Sequence, residues 1–127
     1  MKGEAINLPN APTLPFSPAI RAGDYIFVSG QGGFVDAAGR EVEGIDAQTR
    51  QCLENMKRVL VTAGSSLDDV VKVTVFLGNV ADYAKMNEIY QSYFPKDNPA
   101  RSTAVTGLAN PNMVIEMECI AYFPQEE

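Results

Sequence analysis

Apolar residues alternate with others along the segment 113–122, and this alternation constrains the fold more than any other feature of the chain. A β-strand sends successive side chains to opposite faces of its sheet, so every second residue shares one environment. The apolar set consists of Met113, Ile115, Met117, Cys119 and Ala121. The positions between them hold both acids of the segment, Glu116 and Glu118. The pattern predicts a strand with one face in a core and a second face that presents two carboxylates.

An arginine opens a second strand-like segment that shortly precedes this one. Arg101 follows Pro99-Ala100, which favours extended backbone, and a Gly/Asn/Pro-rich connection over 107–112 separates the two segments. This order predicts either a late hairpin or two nearby strands. A charged residue on a strand commonly lies on a solvated face. Arginine is also the side chain best suited to bind a carboxylate through two parallel hydrogen bonds, and Asp97 is the one acid within five positions of it.

Hydrophobic periodicity predicts two helices and further strands. The first helix is predicted from about Asp46, as its N-cap, to Ala63, with Gly64 as its stop signal. The second is predicted over 80–94, with a buried stripe made by Tyr83, Met86, Ile89 or Tyr90, and Tyr93. Runs rich in β-branched and aromatic residues predict strands over 24–29 and 70–77.

These elements predict a single α+β domain over residues 1–127, with a mixed β-sheet and two α-helices on one face. Residues 1–23 carry four of the eight prolines and are expected to form an extended arm with at most one short strand. Residues 124–127 are expected to form a frayed polar tail. No segment remains to cover the other face of the sheet, so we expect the chain to form an oligomer.

The net charge of −6 and the absence of histidine narrow the chemistry that the chain can perform. Binding to nucleic acid relies on Lys and Arg at phosphates, so an acidic chain argues against a nucleic-acid partner. Without histidine, the usual Ser and Cys triads and most zinc sites are excluded. Cys52 and Cys119 lie in apolar patterns without metal-ligand spacing, and we expect two buried free thiols. Catalysis is expected to use carboxylates, arginine, lysine, hydroxyls, thiols, backbone groups and water.

No apolar run is long enough to span a membrane, so no membrane partner is expected. Met1-Lys2-Gly3-Glu4 is not followed by an apolar signal region, which predicts a cytoplasmic protein. An organellar form stays open if a transit peptide has been removed.

Several short motifs occur in one order along the chain. They are Pro15-Phe16-Ser17-Pro18, Val28-Ser29-Gly30-Gln31, Val73-Thr74-Val75-Phe76, Pro99-Ala100-Arg101-Ser102 and the segment 115–121. Together, from about Asn10 to Phe123, they resemble the signatures of the Rid family, also called YjgF or L-PSP. The resemblance implies a chorismate-mutase-like fold with a mixed six-stranded sheet, and a homotrimer with ligand clefts between neighbouring subunits.

The resemblance also implies an activity. Rid proteins that carry this arginine are enamine/imine deaminases, which hydrolyse 2-iminopropanoate and 2-iminobutanoate to 2-keto acids and ammonia without a metal or cofactor. By that likeness, Arg101 binds the substrate carboxylate and Glu116 handles the water. The further cleft positions implied for this chain are Phe16, Ser29, Gly30, Asn87 and Thr103.

Two of those positions depart from the family pattern. Phe16 stands where the family usually has tyrosine, and Thr103 where a cysteine is common. The Pro-Phe-x-Pro loop also resembles the branch that processes aminoacrylate in pyrimidine breakdown. The alternatives to the deaminase are therefore an aminoacrylate-type deaminase, a small-acid-binding or chaperone-like trimer, and RNA cleavage with translation inhibition, which the charge disfavours.

Overall fold

The computed structural model of the chain describes residues 3–9 and 11–125. Its strands are β1 (Glu4–Ile6), β2 (Ala19–Ala22), β3 (Tyr25–Gly32), β4 (Val70–Leu77), β5 (Ala100–Val105) and β6 (Ile115–Tyr122). Its helices are α1 (Ile45–Thr62) and α2 (Tyr83–Tyr93). The strands form one six-stranded sheet in the order β1-β2-β3-β6-β4-β5. The β4–β5 pair is parallel and the other pairs are antiparallel, so the predicted mixed sheet with two helices is confirmed.

The alternation along β6 sets the two faces of the sheet, as the sequence predicted. Ile115, Met117, Cys119 and Ala121 are buried, and they join the buried residues of β3, β4 and the two helices in one core. Glu116 and Glu118 point to the opposite face, which neither helix of the described residues covers. One face of the sheet is therefore the inside of the domain and the other is open.

The structure decides between the two alternatives for the late strands, and one expectation about the N-terminal arm was wrong. β5 and β6 do not form a hairpin, because β4 lies between them and pairs with both. They are instead the two nearby strands of the alternative interpretation. The expected arm over 1–23 carries two strands, β1 and β2, where at most one was expected. Of the expected frayed tail, Glu126 and Glu127 lie outside the described residues, as do Met1, Lys2 and Asn10.

The C-terminal end of α1 was predicted correctly and its N-cap was not. Gly64 has φ of +88°, a conformation that glycine adopts without strain, and its N–H donates to the carbonyl oxygen of Val61 at 2.9 Å. The next N–H, from Ser65, reaches Leu60 O at 2.8 Å, which completes a Schellman cap. At the other end the N-cap is Gly44, and Asp46 lies inside the first turn, where it pairs with Arg50.

The second helix is shorter than predicted. A 3-10 turn over Val80–Asp82 precedes it, and α2 proper begins at Tyr83. Met86, Ile89 and Tyr90 are buried as expected, but Tyr83 is 43% exposed and does not belong to the core. The helix therefore presents an aromatic side chain to the surface at its first residue.

Both cysteines are free and buried, as predicted. Burial raises the pKa of each thiol to about 12, so neither is a reactive thiolate at neutral pH. Among the described residues, neither helix is long and apolar enough to cross a membrane.

Candidate active site

Arg101 lies on β5, at the edge of the sheet, with its side chain on the helix side. Its register partner on β4 is Val73, a fully buried residue, so the guanidinium extends towards α2. The Nη2 atom donates to the Tyr83 hydroxyl at 3.2 Å, and Cζ lies 4.8 Å from the centre of the Tyr90 ring. Two tyrosines of α2 thus hold the cation through their rings and one hydroxyl.

This arginine has no acidic partner in the part of the chain that the structure describes, since no carboxylate oxygen there lies within 4 Å of it. It borders an open cavity of about 350 Å³ lined by Asn87, Tyr90, Gln91, Asn98, Pro99 and Arg101. A half-buried cation without a counter-ion is suited to bind an anionic group from outside the chain.

Two further predicted residues lie on the same side of the sheet as Arg101. Thr103 pairs with the buried Val75 and is half-buried. Asn87 lies one turn along α2 from Tyr83, and its Oδ1 atom is buried without a hydrogen-bond partner among the described residues. We call Arg101, Thr103, Asn87 and Tyr83 the arginine half-site.

Glu116 lies against Gly30, where β3 departs from a regular ladder. The β3–β6 register shifts between Val28 and Gln31, which places Gly30 in a bulge. A Cβ atom built on Gly30 would lie 2.7 Å from Glu116 Oε2 and 2.9 Å from its carboxyl carbon. The carboxylate therefore rests directly over the glycine backbone, and any larger residue at position 30 would displace it.

Ser29 ties the Pro15–Pro18 loop to the same place. Its Oγ donates to the carbonyl oxygen of Ser17 at 2.6 Å, and its backbone N–H donates to Pro18 O at 2.9 Å. The Ser29 hydroxyl proton is thus engaged within the chain. The loop carries Phe16, whose side chain is 56% exposed. We call Phe16, Ser29, Gly30 and Glu116 the glutamate half-site.

The two half-sites lie on opposite faces of the sheet. Glu116 pairs with Phe76 across the β4–β6 ladder, whereas Arg101 pairs with Val73 across the β4–β5 ladder. Residues 73 and 76 differ by an odd number of positions, so their side chains point to opposite faces. One copy of the chain does not bring Arg101 and Glu116 together. A site that uses both must take them from different copies.

Polar residues of α1 hold the backbone around the glutamate half-site. Gln48, which is 2% exposed, donates from Nε2 to Val42 O and Asn112 O, and its Oε1 accepts from Val114 N–H. Asn55 Nδ2 donates to Gly32 O at 2.9 Å, and Cys52 Sγ lies 2.9 Å from Gln31 O. The helix thus fixes the bulged end of β3 and the segment that enters β6. This role of Gln48 and Asn55 in fixing the backbone was missed from the sequence.

Tyr83 and Tyr90 were also missed as site residues, because a helical stripe of aromatic residues is ordinarily read as core. A hydrogen bond from the Asn87 amide, followed by the charge of Arg101, lowers the pKa of Tyr83. Burial raises the pKa of Tyr90 to about 12. The spacing of Tyr83, Asn87 and Tyr90, at four and three residues, places all three on the side of α2 that faces Arg101.

No group of three His, Cys, Asp or Glu side chains within residues 3–9 and 11–125 is arranged to hold a metal ion.

Known proteins resemble this chain along most of its length. A family model described as Endoribonuclease L-PSP matches residues 7–123. A RutC family protein of Pyrococcus horikoshii is 46% identical over 122 residues, which cover 94% of this chain and 97% of that protein. Reactive Intermediate Deaminase A, a chloroplastic protein of Arabidopsis thaliana, is 40% identical over 124 residues, which cover 95% of this chain and 66% of that protein.

Solved structures of similar proteins have the same fold as this chain. The crystal structure of the YjgF gene product from E. coli aligns with a TM-score of 0.86 at 32% identity, covering 94% of this chain and 98% of that one. RidA from an Antarctic Psychrobacter aligns with a TM-score of 0.83 at 32% identity, covering 97% of this chain and 99% of that one. Because the family model matches residues 7–123 of the chain and these neighbours have the same fold, the chain belongs to the Rid (YjgF/L-PSP) family.

Proposed function

We propose that this protein is a hydrolytic deaminase of reactive 2-imino acids, such as 2-iminopropanoate and 2-iminobutanoate, which it converts to 2-keto acids and ammonia. The observation that carries the proposal is Arg101, a half-buried guanidinium that borders a cavity and has no carboxylate partner among the described residues. Such a cation suits a substrate whose only permanent charge is a carboxylate. A relative named Reactive Intermediate Deaminase A, 40% identical, supports the same chemistry.

Imine hydrolysis needs few groups. Arg101 binds the substrate carboxylate and fixes C2 and its nitrogen beside it. Glu116 takes a proton from a water molecule, whose oxygen then bonds to C2. The nitrogen gains two protons, the C2 hydroxyl loses its proton, and the C–N electron pair leaves with the nitrogen, so that ammonia and the 2-keto acid result. No electrons are exchanged with a second reactant, so the reaction itself requires no redox cofactor.

The proposal includes an assembly, because Arg101 and Glu116 lie on opposite faces of one sheet. We propose a homotrimer in which the arginine half-site of one copy and the glutamate half-site of a neighbour face each other across a cleft. The uncovered sheet face and the family resemblance support this arrangement. Both half-sites are already ordered within one copy, so assembly needs to bring them together and not to build them.

The test is ammonia release from an imino acid generated in situ. A pyridoxal-phosphate-dependent threonine dehydratase supplies 2-iminobutanoate, and semicarbazide competes for it as a chemical trap. We expect the unaltered protein to speed 2-oxobutanoate formation and to reduce semicarbazone formation. The Glu116→Gln variant, which keeps the shape of the side chain, should lose this effect. If the unaltered protein leaves both rates unchanged, the chain is not a deaminase of these substrates.

Phe16 bears on the second candidate, an aminoacrylate-type deaminase. The loop residue is more than half exposed and its side chain is wholly apolar, so it supplies no hydroxyl to the proposed cleft. The same assay with a dehydratase that releases 2-aminoacrylate compares the two substrates directly. RNA cleavage, which the description of the family model names, has no support in this chain, which has a net charge of −6 and no histidine.

A further inference from the structure

Among residues 3–9 and 11–125, Tyr83 supplies the one hydroxyl that is hydrogen-bonded to Arg101. Its oxygen lies 3.2 Å from Nη2, and its ring centre lies 5.7 Å from Cζ. The residue opens α2 after a 3-10 turn whose cap is Asn79, so its backbone is fixed at both sides. The side chain is 43% exposed. A hydroxyl is therefore held beside the guanidinium and remains accessible to a molecule that binds there.

A purely structural role does not account for this placement. Tyr90 already supplies a closer ring to the guanidinium, at 4.8 Å, and it is buried. The Tyr83 hydroxyl buries little surface and adds one exposed hydrogen bond, which contributes little stability. A carboxylate that binds Nη2 of Arg101 would instead lie beside this hydroxyl, since the two atoms are 3.2 Å apart, and C2 is bonded to that carboxylate. The geometry favours a contact with the reacting end of the substrate.

We propose that Tyr83 is a catalytic residue of the deaminase, whose hydroxyl donates a proton to the substrate nitrogen. The inference rests on the proposed function. Water adds to C2 with loss of one proton to Glu116, and the nitrogen takes one proton from solvent, so that it becomes an amine on a tetrahedral carbon. Tyr83 O–H gives its proton to that amine, the C–N electron pair moves to nitrogen, and ammonia leaves. The new C2 hydroxyl gives its proton to a Glu116 carboxylate that has released its first proton to solvent, and the phenolate regains a proton from water.

The surroundings of the hydroxyl support proton donation. Asn87, one turn along the helix, and then Arg101 lower the pKa of Tyr83, because both stabilise the phenolate. Tyr93, on the same helix, has the opposite environment. Burial, followed by a hydrogen bond with Glu54, raises its pKa to about 12. The two tyrosines of α2 therefore differ in pKa, and Tyr83 has the lower pKa that favours proton donation.

The experiment compares Tyr83→Phe with Tyr93→Phe as a matched control. Phenylalanine keeps the ring over the guanidinium and removes only the oxygen. We expect Tyr83→Phe to lower kcat by about 10-fold to 100-fold, since a positioned proton donor commonly contributes about 100-fold or more. The Kd for 2-oxobutanoate, which contains no nitrogen, should change by less than about 3-fold because the Arg101 contact is kept. Tyr93→Phe should retain the unaltered kcat.

The remaining outcomes overturn the inference. An unchanged kcat in Tyr83→Phe means that the hydroxyl takes no part in the reaction. A weaker Kd with an unchanged kcat means that it only orients Arg101. Equal losses of kcat in Tyr83→Phe and Tyr93→Phe mean that the effect belongs to the helix. If the unaltered protein releases no ammonia, the proposed function fails as well, which separates the two failures.

Discussion

Individual residues hold the two halves of the site by different physical means. Arg101 is kept in place by tyrosine rings and one hydroxyl, and its positive charge remains available to a ligand. Glu116 is kept in place by the absence of a side chain at Gly30, which lets the carboxylate rest on the backbone. The Arg101 half therefore depends on the charge of one side chain. The Glu116 half depends on the absence of a side chain at Gly30. Two substitutions follow from this difference.

Arg101→Ala should reduce kcat/KM by about 100-fold or more, because a bidentate pair contributes two charge-assisted hydrogen bonds of roughly 1.5–3 kcal/mol each. Arg101→Lys restores the charge but not the fork and should recover only part of the loss. The measurements are steady-state kinetics and titration with 2-oxobutanoate. A variant that melts earlier and dissociates, yet binds the keto acid normally while folded, would show that Arg101 is structural.

Gly30→Ala should lower kcat strongly while the fold persists. The added Cβ would lie 2.7 Å from Glu116 Oε2, and the flexible carboxylate can move away at small cost to stability. It would then no longer lie where the proposed mechanism needs it to take a proton from water. Gly107→Ala is the matched control, since nothing lies within 4 Å of a Cβ at that position. Equal activity of the two variants, with unchanged circular dichroism, would contradict the role given to Glu116.

Secondary-structure elements show how much of the fold the sequence predicts. The alternation along β6 and the helical periods of α1 and α2 were read correctly, because both depend on neighbours a few residues apart. The choice between a hairpin and two nearby strands for β5 and β6 stayed open, since the insertion of β4 between them depends on pairing between distant segments. The N-cap of α1 was misplaced because aspartate is a common N-cap residue. The N-cap is instead Gly44, whose φ is +88°.

The candidate site also contains residues that local sequence indicates and residues that only the fold brings together. Arg101 and Glu116 could be singled out from sequence, because each is a charged residue in an apolar strand that fits a family motif. Tyr83 could not, because its period along α2 is that of a core residue. Only the position of β5 at the sheet edge reveals that this end of the helix faces an arginine and solvent.

The Gln48 side chain on α1 is hydrogen-bonded to three backbone groups outside the helix. Replacing it with leucine removes three hydrogen bonds to Val42, Asn112 and Val114 and leaves those backbone groups unpaired in a buried place. We expect a loss of about 2–5 kcal/mol in the free energy of unfolding, measured by urea titration. Arg50→Ala on the same helix removes only an exposed pair with Asp46 and should cost less than about 0.5 kcal/mol. Similar losses in both variants would show that Gln48 has no special role.

The whole molecule is defined by a sheet with one covered face. Helices α1 and α2 bury one side, while the other exposes an aromatic group made by Tyr25, Phe27 and Tyr122, each between 43% and 45% exposed. The Tyr25 and Tyr122 ring centres lie 5.4 Å apart, so the group is continuous. A continuous apolar surface of this kind commonly marks an interface. The same face carries Glu116, which connects the proposed assembly to the proposed chemistry.

Phe27→Glu should therefore dissociate the proposed trimer and abolish deaminase activity together. A carboxylate at this position would lose its water among apolar side chains in each copy. Burial of a polar group without a partner costs about 2–7 kcal/mol. The monomer should remain folded, because Phe27 is 45% exposed within one chain. Val61→Glu places the same charge at an apolar residue of α1 that is 57% exposed and should change neither mass nor activity. Sedimentation equilibrium at micromolar concentration measures the mass. If the unaltered chain sediments as a monomer and is still active, Arg101 and Glu116 cannot act together, and both the assembly and the division of roles between them are wrong.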